Sequence, residues 1–263
     1  MLTAISFPVR LNSLYSIRIP FTWQSALTYP ILPPSAVIGM LANALQRYKN
    51  NNRPLEYLNR VEDALVWAGS SLVSPVVLKS YTLSAVVKWK DVIGGKFTNA
   101  LSRQFAFTRG LKILAIFKNS SILDDIIAGL QSSPLTCGDS ESPATVDGEI
   151  VKSNCIDITE RVKDQEITTH FPVPFDKDTK ITDGDGALYL MHERCRKTND
   201  QFPLRSYLVP LKKEGQIIEP SFLKLKVQNE KVYEVHKLGY VVAHPLALPE
   251  PKPKRRKKAN REG

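Results

Sequence analysis

The chain has 263 residues, of which 43% are hydrophobic and 24% are charged, a composition typical of a globular protein rather than a disordered or collagen-like one. No apolar stretch approaches the ~18 residues that a membrane span needs, and the N-terminus lacks the layout of a signal peptide. The formal charge is +10, but the segment from Pro251 onwards carries +6 of it, so the first 250 residues are only mildly basic. We therefore expect a cytoplasmic protein without membrane contact, and net charge alone does not establish a nucleic-acid groove.

Metal and cofactor sites are not indicated. Cys137, Cys155 and Cys195 are odd in number and far apart, which argues against a disulfide framework or a zinc ribbon and predicts three reduced thiols. The run from Asp176 to Gly186 resembles a calcium loop, but Lys180 occupies a ligand position and the closing glutamate is missing. No phosphate-binding glycine loop or zinc-protease motif is present.

The spacing of apolar residues predicts the elements in chain order. They are a strand within residues 3–19, a helix with Ser35 as N-cap, a helix from Pro54 with Leu55, Leu58, Val61, Leu65 and Val66 inward, β structure over residues 71–90, a strand over residues 105–117, a helix capped by Ser121 and a short strand from Ala144 to Val151. This order is β-α-β-β-α-β, the ferredoxin-like arrangement of RNA-recognition domains. We predict an α+β protein with that domain over residues 1–152, a mostly β region over 153–248 and a basic, disordered tail over 249–263. Short strands are predicted at Leu188–Met191, Tyr207–Leu211, Phe222–Val227, Lys231–Val235 and Tyr240–Val242.

Cations alternate with aromatic residues between the two central strands of this domain. The residues are Lys88, Trp89, Lys90, Lys96, Phe97, Arg103, Phe105, Phe107 and Arg109. Such a surface binds phosphates through its cations and stacks unpaired bases on its rings, at about 1–3 kcal/mol per base. The alternative is a long hairpin whose apolar residues belong to the core. The helix start at Ser35 is a second, weaker candidate for a phosphate contact.

The histidines leave a catalytic alternative open. A ribonuclease without a metal needs an acid and a base around the 2′-hydroxyl, often with a lysine on the phosphate. His236 and Lys237 beside Tyr233 and Tyr240 supply those residue types, as does His244 further along the chain. The same residues are also common as solvated or packed side chains of a basic β domain.

Two segments resemble a known family. Ala26–Leu41 contains a proline pair and Ser35 before a helix with Gly39-x-Leu41, and Pro134–Glu141 contains Gly138-Asp-Ser140-Glu141. Both are similar to motifs of the fifth CRISPR-associated protein family, whose members are Cascade subunits of the RAMP superfamily. Together the motifs span about the first 150 residues.

The resemblance implies a non-catalytic subunit that grips the 5′ handle of the guide RNA and caps the filament of Cascade backbone subunits. A thumb hairpin, here about residues 88–109, would contact the RNA and the neighbouring subunit. The large subunit is a further implied partner, and target DNA an indirect one. The implied RNA-binding residues are Arg18 on the first strand, Ser35, Lys88, Lys90, Lys96, Arg103 and Arg109, with no cofactor, metal or catalytic residue.

Some features depart from the family pattern. The glycine-rich loop near the C-terminus of the superfamily is reduced to Gly239. One branch of the family cleaves precursor RNA with Tyr, Lys and His, so a metal-independent endoribonuclease that processes guide RNA is the alternative function. A type I-A-like subtype is the expectation. A eukaryotic-type RNA-binding factor with an import signal as its tail is a third interpretation, which would leave both motifs as coincidences.

Overall fold

The fold was obtained as a computed structural model that describes residues 2–22, 25–84, 100–138, 141–176, 179–197, 202–228 and 230–244. Three of the predicted RNA-binding residues, Lys88, Lys90 and Lys96, lie outside these ranges, as does the tail over 249–263. The helices are α1 (Pro34–Lys49), α2 (Pro54–Ala64) and α3 (Leu123–Ser132). The strands are β1 (Leu2–Leu11), β2 (Ser25–Ala26), β3 (Leu65–Leu72), β4 (Val76–Ser84), β5 (Ala100–Thr108), β6 (Gly110–Phe117), β7 (Leu135–Thr136), β8 (Pro143–Val146), β9 (Val151–Asp157), β10 (Glu166–Thr169), β11 (Val173–Pro174), β12 (Lys180–Gly184), β13 (Gly186–His192), β14 (Leu204–Glu214), β15 (Ile217–Pro220), β16 (Leu223–Lys226), β17 (Lys231–Val235) and β18 (Gly239–Ala243). The α+β class is confirmed, and none of the helices of the described residues is long and apolar enough to cross a membrane.

The first sheet has the strand order β18-β17-β9-β1-β6-β3, with antiparallel neighbours throughout. Helices α1 and α2 connect β1 to β3, and α3 follows β6. The central four strands therefore have the order 4-1-3-2 of a β-α-β-β-α-β unit. The fourth strand is divided, because β8 pairs with the end of β1 and β9 pairs with its beginning. Strand β9 also runs to Asp157, beyond the predicted end of the element at Val151.

The main core lies between this sheet and the helices. Alternate residues of β1 (Ile5, Phe7, Val9) are buried in it, as expected for residues on the same face of a strand. Helix α3 crosses α1 closely at Gly129, where a Cβ atom would lie 2.5 Å from the Ala44 carbonyl oxygen. Side chains of β13, β14 and β15 belong to the same core, so the second half of the chain is packed against the first.

A second sheet has the order β11-β14-β15-β4-β5-β2, with β13 also paired to β14, and a third consists of β10-β16-β12. The five strands predicted in the second half all occur, as β13, β14, β16, β17 and β18, with bounds shifted by a few residues at most. Gly215, in the turn between β14 and β15, has a positive φ of 64°.

Several predicted element boundaries were wrong. The first strand ends at Leu11, and the chain then crosses to the second sheet, where Tyr15 bridges Ala106. Leu65 begins β3 instead of continuing α2, because pairing with β6 at the edge of the first sheet outweighs helical spacing. The predicted strand over residues 105–117 is two strands in different sheets, broken at Arg109.

The predicted caps were also wrong. Helix α1 starts two residues earlier than expected, with Pro33 in place of Ser35 as N-cap and Pro34 as the first helical residue. Ser121 is replaced by Ile122 as the N-cap of α3. Leu55, expected to face the core, is 72% exposed.

Candidate nucleic-acid interface

A long β hairpin stands between the central strands, where the thumb was expected. Strands β4 and β5 pair in register from Val76 opposite Thr108 to Ser84 opposite Ala100, nine pairs in all. The predicted range of 88–109 therefore included only the second strand and the connection. The first strand, which begins at Val76, was assigned to the body of the domain.

The two faces of this hairpin differ, because alternate residues of a strand point to opposite sides. One face packs into the main core, where Val76 and Ala106 are fully buried. At the edge of β5, Ala106 exchanges two backbone hydrogen bonds with Tyr15, and the Gln104 side chain accepts one from the Thr28 backbone N–H at 3.2 Å. The opposite face, which we call the outer hairpin face, consists of Val77, Lys79, Tyr81, Arg103, Phe105 and Phe107. Most of it is open to solvent, with Phe107 53% exposed.

Rings and cations of the outer hairpin face are in contact with one another. Tyr81 and Phe105 meet edge to face with centroids 5.7 Å apart, and the Arg103 guanidinium carbon lies 4.9 Å from the Phe105 centroid. The Arg103 Nε also donates to the Ser16 hydroxyl at 3.1 Å, which fixes the guanidinium in place. Lys79 is directly opposite Phe105 in the register. Aromatic faces held beside cations are what stacking and phosphate contacts on a single strand need.

Two other predicted contacts, Arg18 and Arg109, are exposed next to this hairpin. Arg18 is not on the first strand, as predicted, but on an arm formed by residues 17–19 and 27–29, where it bridges Thr28. Its Nη2 donates to the Thr22 carbonyl at 2.6 Å. Arg109 lies at the break between β5 and β6.

Ser35 is a poor phosphate site in this structure. Pro34 has no N–H, and the N–H groups of Ala36 and Val37 both donate to the Pro33 carbonyl. The Ser35 carbonyl accepts from the Cys195 thiol at 3.2 Å, so a segment from the second half of the chain lies against the helix start. The motif around Ser35 thus has a clear structural role, whereas its predicted RNA contact stays a prediction.

The first sheet does not offer an open platform for bases along its whole width. On the face away from the helices, Trp67 packs edge to face against Phe171 with centroids 5.7 Å apart, and both are buried. The Trp67 ring also lies over Gly69, where a Cβ atom would be 2.5 Å from it. The aromatic surface that is open to solvent is on the hairpin instead.

The residues of the ribonuclease alternative differ in burial, and its two histidines lie at opposite ends of β18. Tyr233 is buried, and burial, together with Asp157 and Cys155, raises its pKa to about 12. His236 is exposed in the turn before β18 and His244 follows the end of that strand. At about 3.3 Å per residue, the five residues of β18 place these histidines roughly 16 Å apart. In the described part of the chain, no group of His, Cys, Asp and Glu could hold a metal ion.

Sequence reasoning missed Lys79 and Tyr81, and it missed an asymmetry of charge. Residues 1–123 contain 14 basic and four acidic residues, and the first acidic residue is Glu56. Residues 124–250, by contrast, contain 15 basic and 21 acidic residues. The mild average over the first 250 residues thus concealed a strongly basic first half that holds the hairpin and the arm. Charge summed in windows would have shown it.

Comparisons with known proteins agree with the first of the two sequence motifs, Ala26–Leu41. Residues 9–104 match the model of a family described as CRISPR-associated protein (Cas_Cas5). A CRISPR protein from Archaeoglobus fulgidus, known from its crystal structure, is 15% identical and aligns over 93% of this chain and 99% of its own with a TM-score of 0.59. A chain of a CRISPR RNA-guided surveillance complex is 15% identical over 78% of this chain and 91% of its own, with a TM-score of 0.40. No curated protein sequence matches. The resemblance to the fifth CRISPR-associated family is therefore confirmed over residues 9–104, on a fold similar to that of an archaeal CRISPR protein.

Proposed function

We propose that this chain is a non-catalytic, RNA-holding subunit of a type I CRISPR surveillance complex, in which it binds the 5′ handle of the guide RNA. The observation that carries the proposal is the outer hairpin face, where Tyr81, Phe105 and Phe107 are exposed or half-buried beside Lys79 and Arg103. Its position between the central strands is that of the thumb of the family that residues 9–104 match. The basic first half of the chain supplies the long-range attraction for a polyanion.

The mechanism is one of positioning rather than chemistry. Cations of the hairpin pair with phosphates and release counterions, while the rings stack on bases that are not paired. A backbone subunit of the complex packs beside the hairpin, the large subunit lies nearby, and target DNA is reached only through the guide. Lys88, Lys90 and Lys96 extend the same basic stretch in sequence and stay predicted contacts. The complex acts in the cytoplasm.

The burial of Tyr233 and the distance of roughly 16 Å between His236 and His244 favour the non-catalytic form of the proposal. An acid and a base that share one phosphodiester must both lie within hydrogen-bond reach of it. Tyr233 is buried and bears a raised pKa, so it is poorly suited to donate or accept a proton at neutral pH.

The test is an incubation of the purified full-length chain with labelled precursor guide RNA in a chelator, analysed on native and denaturing gels. We expect a shifted, intact RNA whose binding weakens as salt rises. Arg103→Glu and Lys79→Glu should each weaken binding and reduce the salt slope by about 0.7 or more. Lys163→Glu, an equal change of charge at an exposed site in the second half of the chain, is the matched control. Cleavage at the repeat that is abolished by His236→Ala would establish the ribonuclease instead.

A further inference from the structure

Phe21 is the most exposed large hydrophobic residue among those that the structure describes, with 85% of its surface open to solvent. It lies in a turn with Pro20, directly after residues 17–19 of the arm. Its φ of 60° is in the left-handed region, which glycine adopts freely and which costs a residue with a side chain free energy. Because the ring is exposed, it adds no hydrophobic burial that would offset this free energy.

The turn is held by its neighbours on both sides. The Arg18 guanidinium donates to the Thr22 carbonyl at 2.6 Å, and the Thr22 hydroxyl donates to the Ile19 carbonyl at 2.9 Å. The base of the arm is closed by the Ile19 N–H, which donates to the Leu27 carbonyl at 2.9 Å. These bonds fix the backbone on which the Phe21 ring stands. A strained backbone that its surroundings fully determine is a common feature of binding sites.

The arm is part of the same surface as the hairpin. Strand β2, which follows the turn, pairs in parallel with β5, and Ala26 is opposite Arg103. Arg103 itself donates to Ser16, just before the arm. Arg18 is exposed beside the turn, and residues 1–55, which include the arm, contain no acidic residue. An exposed ring beside the Arg18 guanidinium suits a nucleobase better than an apolar protein pocket, which would desolvate that cation.

We propose that Phe21 is a fixed stacking platform for one unpaired base of single-stranded RNA, next to the strand that the hairpin holds. This inference rests on the proposed RNA-binding function and adds a contact outside the hairpin to it. Arg18 has a double role: it fixes the turn and places its charge where the adjacent phosphate lies. The ring recognises a base through its π face, so the site discriminates purines from pyrimidines only by stacking strength.

The test compares two labelled single strands of ten nucleotides, an oligoadenylate and an abasic ribose-phosphate strand of equal length, bound to the full-length chain. We expect Phe21→Ala to weaken oligoadenylate binding by about fivefold or more and to leave the abasic strand unaffected. Phe21→Trp should restore the affinity. Leu55→Ala, which removes another highly exposed apolar side chain, is the matched control. Phe21→Gly checks the fold, because glycine relieves the turn and should raise the Tm while the affinity still falls.

Each outcome separates this inference from the proposed function. Equal oligoadenylate binding by the wild type and Phe21→Ala would overturn the stacking role alone. The exposed ring would then be assigned to contact with a protein partner. Equal weakening on both strands would show that Phe21 acts through the fold and not on a base. If the wild-type chain binds neither strand, the RNA-binding function itself fails.

Discussion

Arg196→Ala tests how the second half of the chain is fastened to the first. The side chain of Glu62 on α2 is 1% exposed, and its carboxylate accepts hydrogen bonds from the Arg196 Nε and from the Cys195 backbone N–H, both at 2.5 Å. The Arg196 Nη2 donates to Asp63 at 2.6 Å. Burial lowers the pKa of Arg196, but its hydrogen bonds with Asp63 and Glu62 outweigh this and raise it above the ordinary value.

The free energy of unfolding that Arg196→Ala should lose depends on the partner that remains buried, which is Glu62. Removal of one member of a buried pair costs about 3–5 kcal/mol, because the other charge is left without compensation. Arg196 is 38% exposed, so water can reach part of the site, and we expect about 2–4 kcal/mol. Glu62→Gln in the same chain should recover part of this loss, since an uncharged amide is cheaper to bury alone.

The assay is urea unfolding of the purified chain, followed by circular dichroism, with both single variants and the double variant. Lys152→Ala is the control, because Lys152 pairs with Asp124 at 3.2 Å in an exposed setting and should cost less than about 1 kcal/mol. If Arg196→Ala lowers the free energy of unfolding no more than Lys152→Ala does, the clamp, by which we mean the hydrogen bonds of Arg196 and Cys195 to Glu62, contributes nothing and the reasoning is wrong.

Two further predictions concern packing and pH. Gly129→Ala should lower the free energy of unfolding by about 1–3 kcal/mol, since its Cβ would lie 2.5 Å from the Ala44 carbonyl oxygen. Gly39→Ala, on helix α1, should raise that free energy by about 0.5 kcal/mol or more, because no atom lies within 4 Å of its added Cβ. Equal unfolding free energies of the two variants in urea would contradict this reasoning. Burial raises the pKa of Cys137 to about 12, so its contribution to stability is complete below the pKa of the unfolded thiol, about 8.5, and is lost as the pH rises towards 12. The free energy of unfolding should fall between pH 8 and pH 10, and it should fall less in Cys137→Ala than in the wild type. An equal fall in both proteins would count against the prediction.

The sequence predicted the parts of the fold that depend on burial alone. Alternation in β1 and helical spacing in α1 report which side of each element is covered, and those assignments hold for Ile5, Phe7 and Leu41. Such a pattern does not show which sheet a strand joins. Tyr15 and Ile17 continue the alternation of β1, yet Tyr15 pairs with β5 in the second sheet. A strand that passes from one sheet to another keeps its period, so the break at Leu11 has no periodic signal.

The candidate site was predictable only in part, for a related reason. Arg103, Phe105 and Phe107 were identified by residue type, whereas Lys79 and Tyr81 were not, because they join the surface through the register of β4 with β5. A register is a property of two segments together, and neither segment encodes it alone. The turn at Phe21 was also missed, since nothing in Pro20-Phe21-Thr22 indicates a positive φ in place of the usual glycine.

The position of open and covered aromatic residues bears on where RNA can lie. In an RNA-recognition domain the bases stack on the sheet face away from the helices. Here Phe171, from the second half of the chain, covers Trp67 on that face, and the clamp at Glu62 fastens the same half to α2. Exposed rings occur instead on the hairpin and at Phe21, both in the basic first half. Under the proposed function, an RNA strand therefore lies along the hairpin and not on the first sheet, and the Phe21 and Arg103 variants test two separate contacts with it.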